Sequence, residues 1–180
     1  MALWVVGLSC LAWTGWALAD IHLYQRAAAQ LVGSTVAGDA SGTAAARDVA
    51  AGTPLASLRI PRLDLEVVVA EGTDGQVLRR AVGRLTGGAR LGEADNIVLA
   101  GHRDSFFRRL GELEVGDRIA LERGGMTETY AVEWARVVKP DRVEVAGRTG
   151  YSSLTLVTCY PFWYVGNAPE RYVVRAVKIS

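Results

Sequence analysis

Cys159 is the strongest candidate for a reactive side chain in this sequence, because its setting would expose it. The residues before it, Thr155-Leu156-Val157-Thr158, are β-branched and apolar and predict the end of a strand. Pro161, just past the thiol, stops any hydrogen-bonded ladder because it has no N–H to donate. A thiol on a rigid strand end, at the mouth of a loop, is both positioned and reachable. An ordinary thiol is mostly protonated at neutral pH, so such a nucleophile needs a base or a positive charge beside it. His102, in Leu99-Ala100-Gly101-His102-Arg103-Asp104, also stands where a strand gives way to a loop. Arg171 follows the loop that leaves Cys159 and lies early in the last apolar run, so neighbouring strands would set it beside the thiol. A guanidinium stays charged and offers fixed donors, which suits an oxyanion. These residue types together fit acyl transfer through a thioester.

Each residue also has a plainer reading. A lone buried cysteine packs like a small hydrophobe, and His102 alone fits a strand-end histidine held by a hydrogen bond. Arg171 alone fits a solvated strand end, and Arg175 competes with it from the same strand face, about 13 Å further along. Phe162, Trp163 and Tyr164 suit a peptide groove or the core. Thr158 would position a carbonyl oxygen through its hydroxyl or its backbone. His22 sits in the N-terminal segment with no partner in view.

The elements around these residues have a clear order. Half of the 180 residues are hydrophobic, 22% are charged and the net charge is +1, so a packed core is expected and a basic nucleic-acid footprint is not. Ala2 to Ala19 is uncharged and apolar, about 27 Å long as a helix, enough to cross a bilayer. Trp4 and Trp16 stand near its ends. Ala17-Leu18-Ala19 also fits a signal-peptide cleavage site, but the length of the run and the lack of a basic residue before it favour an uncleaved anchor. Positive charge does not set the orientation, because Arg26 is the first basic residue. Asp20 to Leu31 extends the helical pattern, and Gly33 to Pro54 has the Ala/Gly/Ser/Thr composition of a flexible spacer, with a short helix allowed at Ala44 to Ala51. The expected organisation is therefore an anchor over 1–19, a juxtamembrane helix and linker over 20–56, and a folded body over 57–180.

Within the body, short β-like runs alternate with turns. Leu58 to Pro61 and Leu63 to Val69 predict the first strands, Gln76 to Leu85 a short helix, and Asn96 to Gly101 the strand that delivers His102. Phe106 to Leu110 reads as one helical turn. Asp117 to Glu122 and Thr127 to Val138 form a hairpin about Gly124-Gly125. Lys139 to Tyr151 is a long connection, and Glu170 to Ile179 closes the sheet. The fold class is mainly β, a small closed barrel with short helices preceded by a transmembrane helix. Cys10 and Cys159 are too far apart in kind and place to pair, and the cysteines and histidines lack zinc spacing. No metal or other cofactor is expected.

Thr155-Leu156-Val157-Thr158-Cys159, Ala100-Gly101-His102-Arg103-Asp104, Arg171-Tyr172-Val173 and Ile60-Pro61-Arg62-Leu63 together resemble the sortases, cysteine transpeptidases of bacterial cell surfaces. The resemblance runs from about Ser57 to Ile179. Thr158-Cys159-Tyr160-Pro161-Phe162 looks most like the Gram-negative sortases related to class D. The resemblance implies His102, Cys159 and Arg171 as the catalytic residues, with Arg103 and Asp104 supporting the loop; Thr158, Phe162 and Trp163 are the expected substrate contacts from their positions beside the thiol. It also implies a protein substrate with a C-terminal sorting signal of the L-P-x-T-G type, cleaved and passed to an amine or to water. The sequence does not identify that acceptor. The expected location is the bacterial inner membrane, single-pass, with the barrel on the outer side. A membrane-tethered barrel that binds peptides without cutting them is the alternative. An L,D-transpeptidase is disfavoured, because no S-H-G-C-type cluster is present.

Overall fold

The computed structural model describes residues 2–34 and 49–180. Alternation of apolar and polar residues sets up its strands: β1 Pro54–Ile60, β2 Leu65–Glu71, β3 Val82–Arg84, β4 Asn96–Ala100, β5 Arg118–Arg123, β6 Met126–Val138, β7 Ser153–Tyr160 and β8 Glu170–Lys178. They close into a barrel in the order β1-β2-β3-β4-β7-β8-β6-β5. Closure leaves no sheet edge unpaired, which removes the usual hazard of strand addition. The interior is filled by Leu58, Ile60, Val69, Ile97, Leu99, Leu154 and Leu156, all at most 1% exposed. Phe107 and Leu110, from the loop after β4, are fully buried in the same core.

Two pairings matter for the site. β4 and β7 run parallel, with Ala100 level with Val157, and β7 and β8 run antiparallel. β7 is therefore the shared strand between the element that carries His102 and the element that carries Arg171. The hairpin of β5 and β6 turns at Gly124-Gly125 as the sequence predicts, with positive φ at both glycines.

Three expectations change. The predicted helix over Gln76–Leu85 is cut short: α2 covers Gly75–Arg80, Ala81 is extended, and Val82–Arg84 pairs with β2 as a strand. The barrel needs that strand to bridge β2 to β4, and tertiary closure overrides a helical spacing of apolar residues. Gly83 fits here because its backbone abuts the Gly72 carbonyl, where a Cβ would stand 2.2 Å away. Glu71 and Arg84, register partners on β2 and β3, form a buried bidentate pair at 2.7 Å. The second change concerns Phe106–Leu110, which forms successive turns leading into a 3-10 segment at Leu110–Glu112.

The third change concerns the N-terminal helix. α1 runs unbroken over Ala2–Ser34, so the predicted continuation past Asp20 holds, and its Trp4–Gly33 portion is long and apolar enough to cross a membrane. Its C-terminal half does not stand free of the body. Tyr24 donates to the Gly52 carbonyl, Gln25 accepts from the Val68 N–H at 2.8 Å, and Asp20 pairs with Arg80. Ala28 is 2% exposed, buried against the barrel side of the helix. The expected spacer falls largely on residues 35–48, outside the described residues. Residues 49–53 are irregular, and β1 already begins at Pro54.

Candidate active site

The antiparallel register makes Cys159 and Arg171 direct partners across β7 and β8. Opposed Cα atoms in such a ladder are about 4.5–5.5 Å apart, so thiol and guanidinium share one surface by construction. On the other flank, the parallel register of β4 continues past its last paired residue, because Gly101 N–H donates to the Val157 carbonyl at 3.2 Å. His102 follows at once, in the loop that leaves β4, on the Cys159 side of the barrel mouth. His102, Cys159 and Arg171 line one open cleft of about 270 Å³, together with Arg103, Asp104 and Ala168. Cys159 is partly exposed and unpaired as a disulfide, and Cys10 lies in α1.

Several contacts hold His102 in place. Gly101 lies under the Phe107 ring so closely that a Cβ would stand 2.7 Å from it. Phe107 is fully buried, so any other residue at 101 would displace a core side chain. The Phe107 N–H returns to the His102 carbonyl at 3.1 Å and closes the turn. Arg103 donates to the Tyr164 and Gly166 carbonyls at 2.6 and 2.9 Å, tying the histidine loop to the loop between β7 and β8. Among the described residues no side chain hydrogen-bonds the His102 imidazole. Asp104 lines the cleft without pairing to it, so the arrangement is a cysteine–histidine pair with an arginine rather than a carboxylate-oriented triad.

Arg171 uses Nη1 alone on the protein, donating to the Ala168 and Glu170 carbonyls at 3.2 and 2.8 Å. That bond orients the fork and leaves Nε and Nη2 without protein acceptors among the described residues. A planar fork fixed on one side, with donors unspent on the other, can receive a developing oxyanion without reorganising.

The residues expected to touch substrate are placed unequally. Thr158 is 3% exposed and its hydroxyl donates to the Gly101 carbonyl at 2.7 Å. That hydroxyl is committed to joining β7 to the histidine loop and does not face the cleft. Phe162 is half-buried and packs against the core, with its ring edge over Gly111. Trp163 is 79% exposed. Sequence reasoning missed the cluster behind the thiol, in which Tyr160 stacks on Tyr172 at 6.0 Å and meets Phe162 edge-on at 5.6 Å. The period-2 spacing of Thr158, Tyr160 and Phe162 was the available signal. Burial, then the Tyr160 phenol beside it, raises the pKa of Tyr172. Gly166 and Asn167 on the cleft wall carry no sequence signal of their own.

Arg175 stands away from this cleft. It is 5% exposed, and it donates through Nε to Thr155 Oγ1 and through Nη2 to the Val145 carbonyl, both at 2.7 Å.

The comparisons with known proteins agree with this geometry. The model of the sortase domain matches residues 58–179. The chain is 40% identical over 124 residues to Sortase D of Bacillus subtilis (strain 168), an alignment covering 68% of this chain and 63% of that protein. It is 31% identical over 121 residues to Sortase A of Bacillus anthracis, covering 65% of this chain and 56% of that protein. The chain thus spans less than two thirds of the length of each of these relatives. A Clostridium perfringens Sortase D5 transpeptidase superposes with a TM-score of 0.73 at 22% identity, over 87% of this chain and 99% of that one, a likeness of fold. Sortase E from Streptomyces avermitilis superposes with a TM-score of 0.64 at 32% identity, over 73% of this chain and 91% of that one. Family model, relatives and barrel topology lead to one assignment: this chain belongs to the sortase family, related to class D.

Proposed function

We propose that this protein is a membrane-anchored cysteine transpeptidase that cleaves a C-terminal sorting signal of the L-P-x-T-G type. The observation that carries the reading is the register pair Cys159 and Arg171, with His102 lining the same cleft from the loop after β4. The Cys159 thiolate attacks the scissile carbonyl carbon, and the carbonyl π-electrons move to oxygen. The free Nε and Nη2 donors of Arg171 stabilise that oxyanion. The His102 imidazolium passes its proton to the departing amine as the C–N bond breaks, which leaves a thioester on Cys159. An incoming amine, or water, then attacks the thioester. His102 takes the attacking group's proton, and the Cys159 thiolate leaves as the new acyl bond forms.

The apolar α1 supports attachment to the membrane by a single span; that the barrel faces the outer side is part of the proposal. The exposed Trp163, Tyr164 and Val165 lead, in the β7–β8 loop, into the cleft-lining Gly166 and suit the apolar part of a peptide. The test is intact-mass spectrometry of the full chain in detergent micelles with an L-P-x-T-G-type peptide, with and without a trapping amine. The expected result is a thioester adduct that forms on the wild type and is absent from Cys159→Ala. The reading fails if no adduct forms and Cys159 is also inert to a thiol reagent.

A further inference from the structure

A second cleft, of about 680 Å³, shares no residue with the catalytic one. It lies on the outer face of β6 and β8, under the connection from β6 to β7. Arg136, Lys139, Arg142, Arg148 and Arg175 line it, against the single carboxylate of Glu144. Two of these cations are already neutralised: Arg142 pairs with Glu144 at 3.1 Å, and Arg148 pairs with Asp95 at 2.6 Å. Arg136, Lys139 and Arg175 have no carboxylate partner among the described residues.

The arrangement concentrates like charge. Trp134 is the register partner of Arg175, and both the Arg175 and Arg136 guanidiniums lie over its ring, at 5.3 and 4.6 Å from the centroid. Cation–π attraction holds each of them but cancels no charge. Arg175 is almost fully buried and still lacks a counter-ion. A buried cation is ordinarily paired, so Arg175, with the exposed and unpaired Arg136 and Lys139 around the same concave site, leaves a negative charge to be supplied from outside.

We propose that this cleft is a binding site for a multiply charged phosphate group, a phosphomonoester or a diphosphate. Three unpaired cations match a ligand of two or more negative charges better than a lone carboxylate. Arg136 can grip phosphate oxygens in a forked geometry, while Lys139 and Arg175, whose Nε and Nη2 are already bonded, add positive charge. The room beyond the cations accepts the organic group that carries the phosphate. A bilayer headgroup is the other source of this chemistry, but the fold argues against it. α1 packs on β1, β2 and α2, and β8 stands opposite β2 in the closed order, so the cleft faces away from the anchor. The inference does not depend on the transpeptidase reading.

The experiment is titration calorimetry of the full chain in neutral-detergent micelles with inorganic pyrophosphate, against sulfate at matched ionic strength. Saturable pyrophosphate binding is expected, tighter than sulfate, and weakened at least about tenfold in Arg136→Gln/Lys139→Gln. Both side chains are exposed, so the variant keeps the wild-type Tm. Arg118→Gln, exposed on β5, serves as the control and leaves binding unchanged. Equal affinity for pyrophosphate in the double variant, or no preference over sulfate, overturns the proposal. So does binding that appears only when micelles carry an anionic phospholipid and is not displaced by pyrophosphate.

Discussion

Arg171 and Arg175 stand on the same face of β8, opposite Cys159 and Thr155 on β7, yet they live in different chemistry. Arg175 is enclosed. Its Nε meets Thr155 Oγ1, which in turn donates to Asn96 Oδ1 at 2.6 Å, and the Asn96 amide reaches the Val145 and Gly147 carbonyls. Arg171 holds on by Nη1 to two carbonyls of its own strand end and keeps its other donors for the cleft. The difference comes from what covers each end of the strand pair. The β6–β7 connection folds over Arg175, whereas the β7–β8 loop borders Arg171 without covering it. The same side chain is enclosed in the fold at one end and open to the cleft at the other.

The largest effect that sharpens this contrast is at the open end. His102→Gln should lower turnover by about 10²- to 10⁴-fold, the range for losing a general acid–base, while Tm stays near wild type because no side chain leans on the imidazole. Steady-state cleavage of a fluorogenic peptide beside a thermal melt checks both halves. At the enclosed end the effect reverses. Thr155→Val strips the acceptor from Arg175 Nε and one of two donors from Asn96 Oδ1, leaving a buried guanidinium N–H unsatisfied, and should cost about 1–3 kcal/mol of stability. Denaturant unfolding measures that loss, and peptide turnover at a temperature where the variant is folded should change by only a few-fold.

The smallest predicted effect lies in the connection that encloses Arg175. Asp95 accepts from the Thr149, Asn96 and Gly150 N–H groups as well as from Arg148, and so clamps this connection to the start of β4. The Thr149 N–H is the chief cause of a carboxyl held well below the usual range, and burial works against it. A folded-state pKa below the unfolded one, which is about 3.9, gives stability that is complete above that value and lost as pH falls towards the folded pKa. Asp95→Asn should therefore lower Tm most at neutral pH, and the gap to wild type should close as pH drops below about 4. A gap that widened in acid would contradict the clamp.

What the sequence made legible follows the same division. The strand ending at Cys159, the strand delivering His102 and the hairpin at Gly124-Gly125 rest on local patterns of β-branched residues, proline and glycine, and the structure has each of them. The preference for Arg171 over Arg175 rested on closeness in sequence to the loop that leaves the thiol. Features that depend on distant partners stayed hidden. Thr158 looked like a substrate contact because the parallel pairing that brings Gly101 to it spans 57 positions. The Gln76–Leu85 run looked helical because nothing local announces that β2 needs Val82–Arg84 beside it. The docking of Tyr24 and Gln25 on the body gave no local signal, because their partners, Gly52 and Val68, lie far along the chain.

The central claim is that the two arginines divide the work, and one paired measurement tests it most directly. Lysine keeps the charge and loses the fork at either position. The rate of thioester formation, followed by intact mass, should fall about 10²- to 10³-fold in Arg171→Lys, with Tm nearly unchanged. In Arg175→Lys it should stay within a few-fold of wild type while Tm drops. Rapid acylation by Arg171→Lys, or acylation lost in a folded Arg175→Lys, would contradict the account.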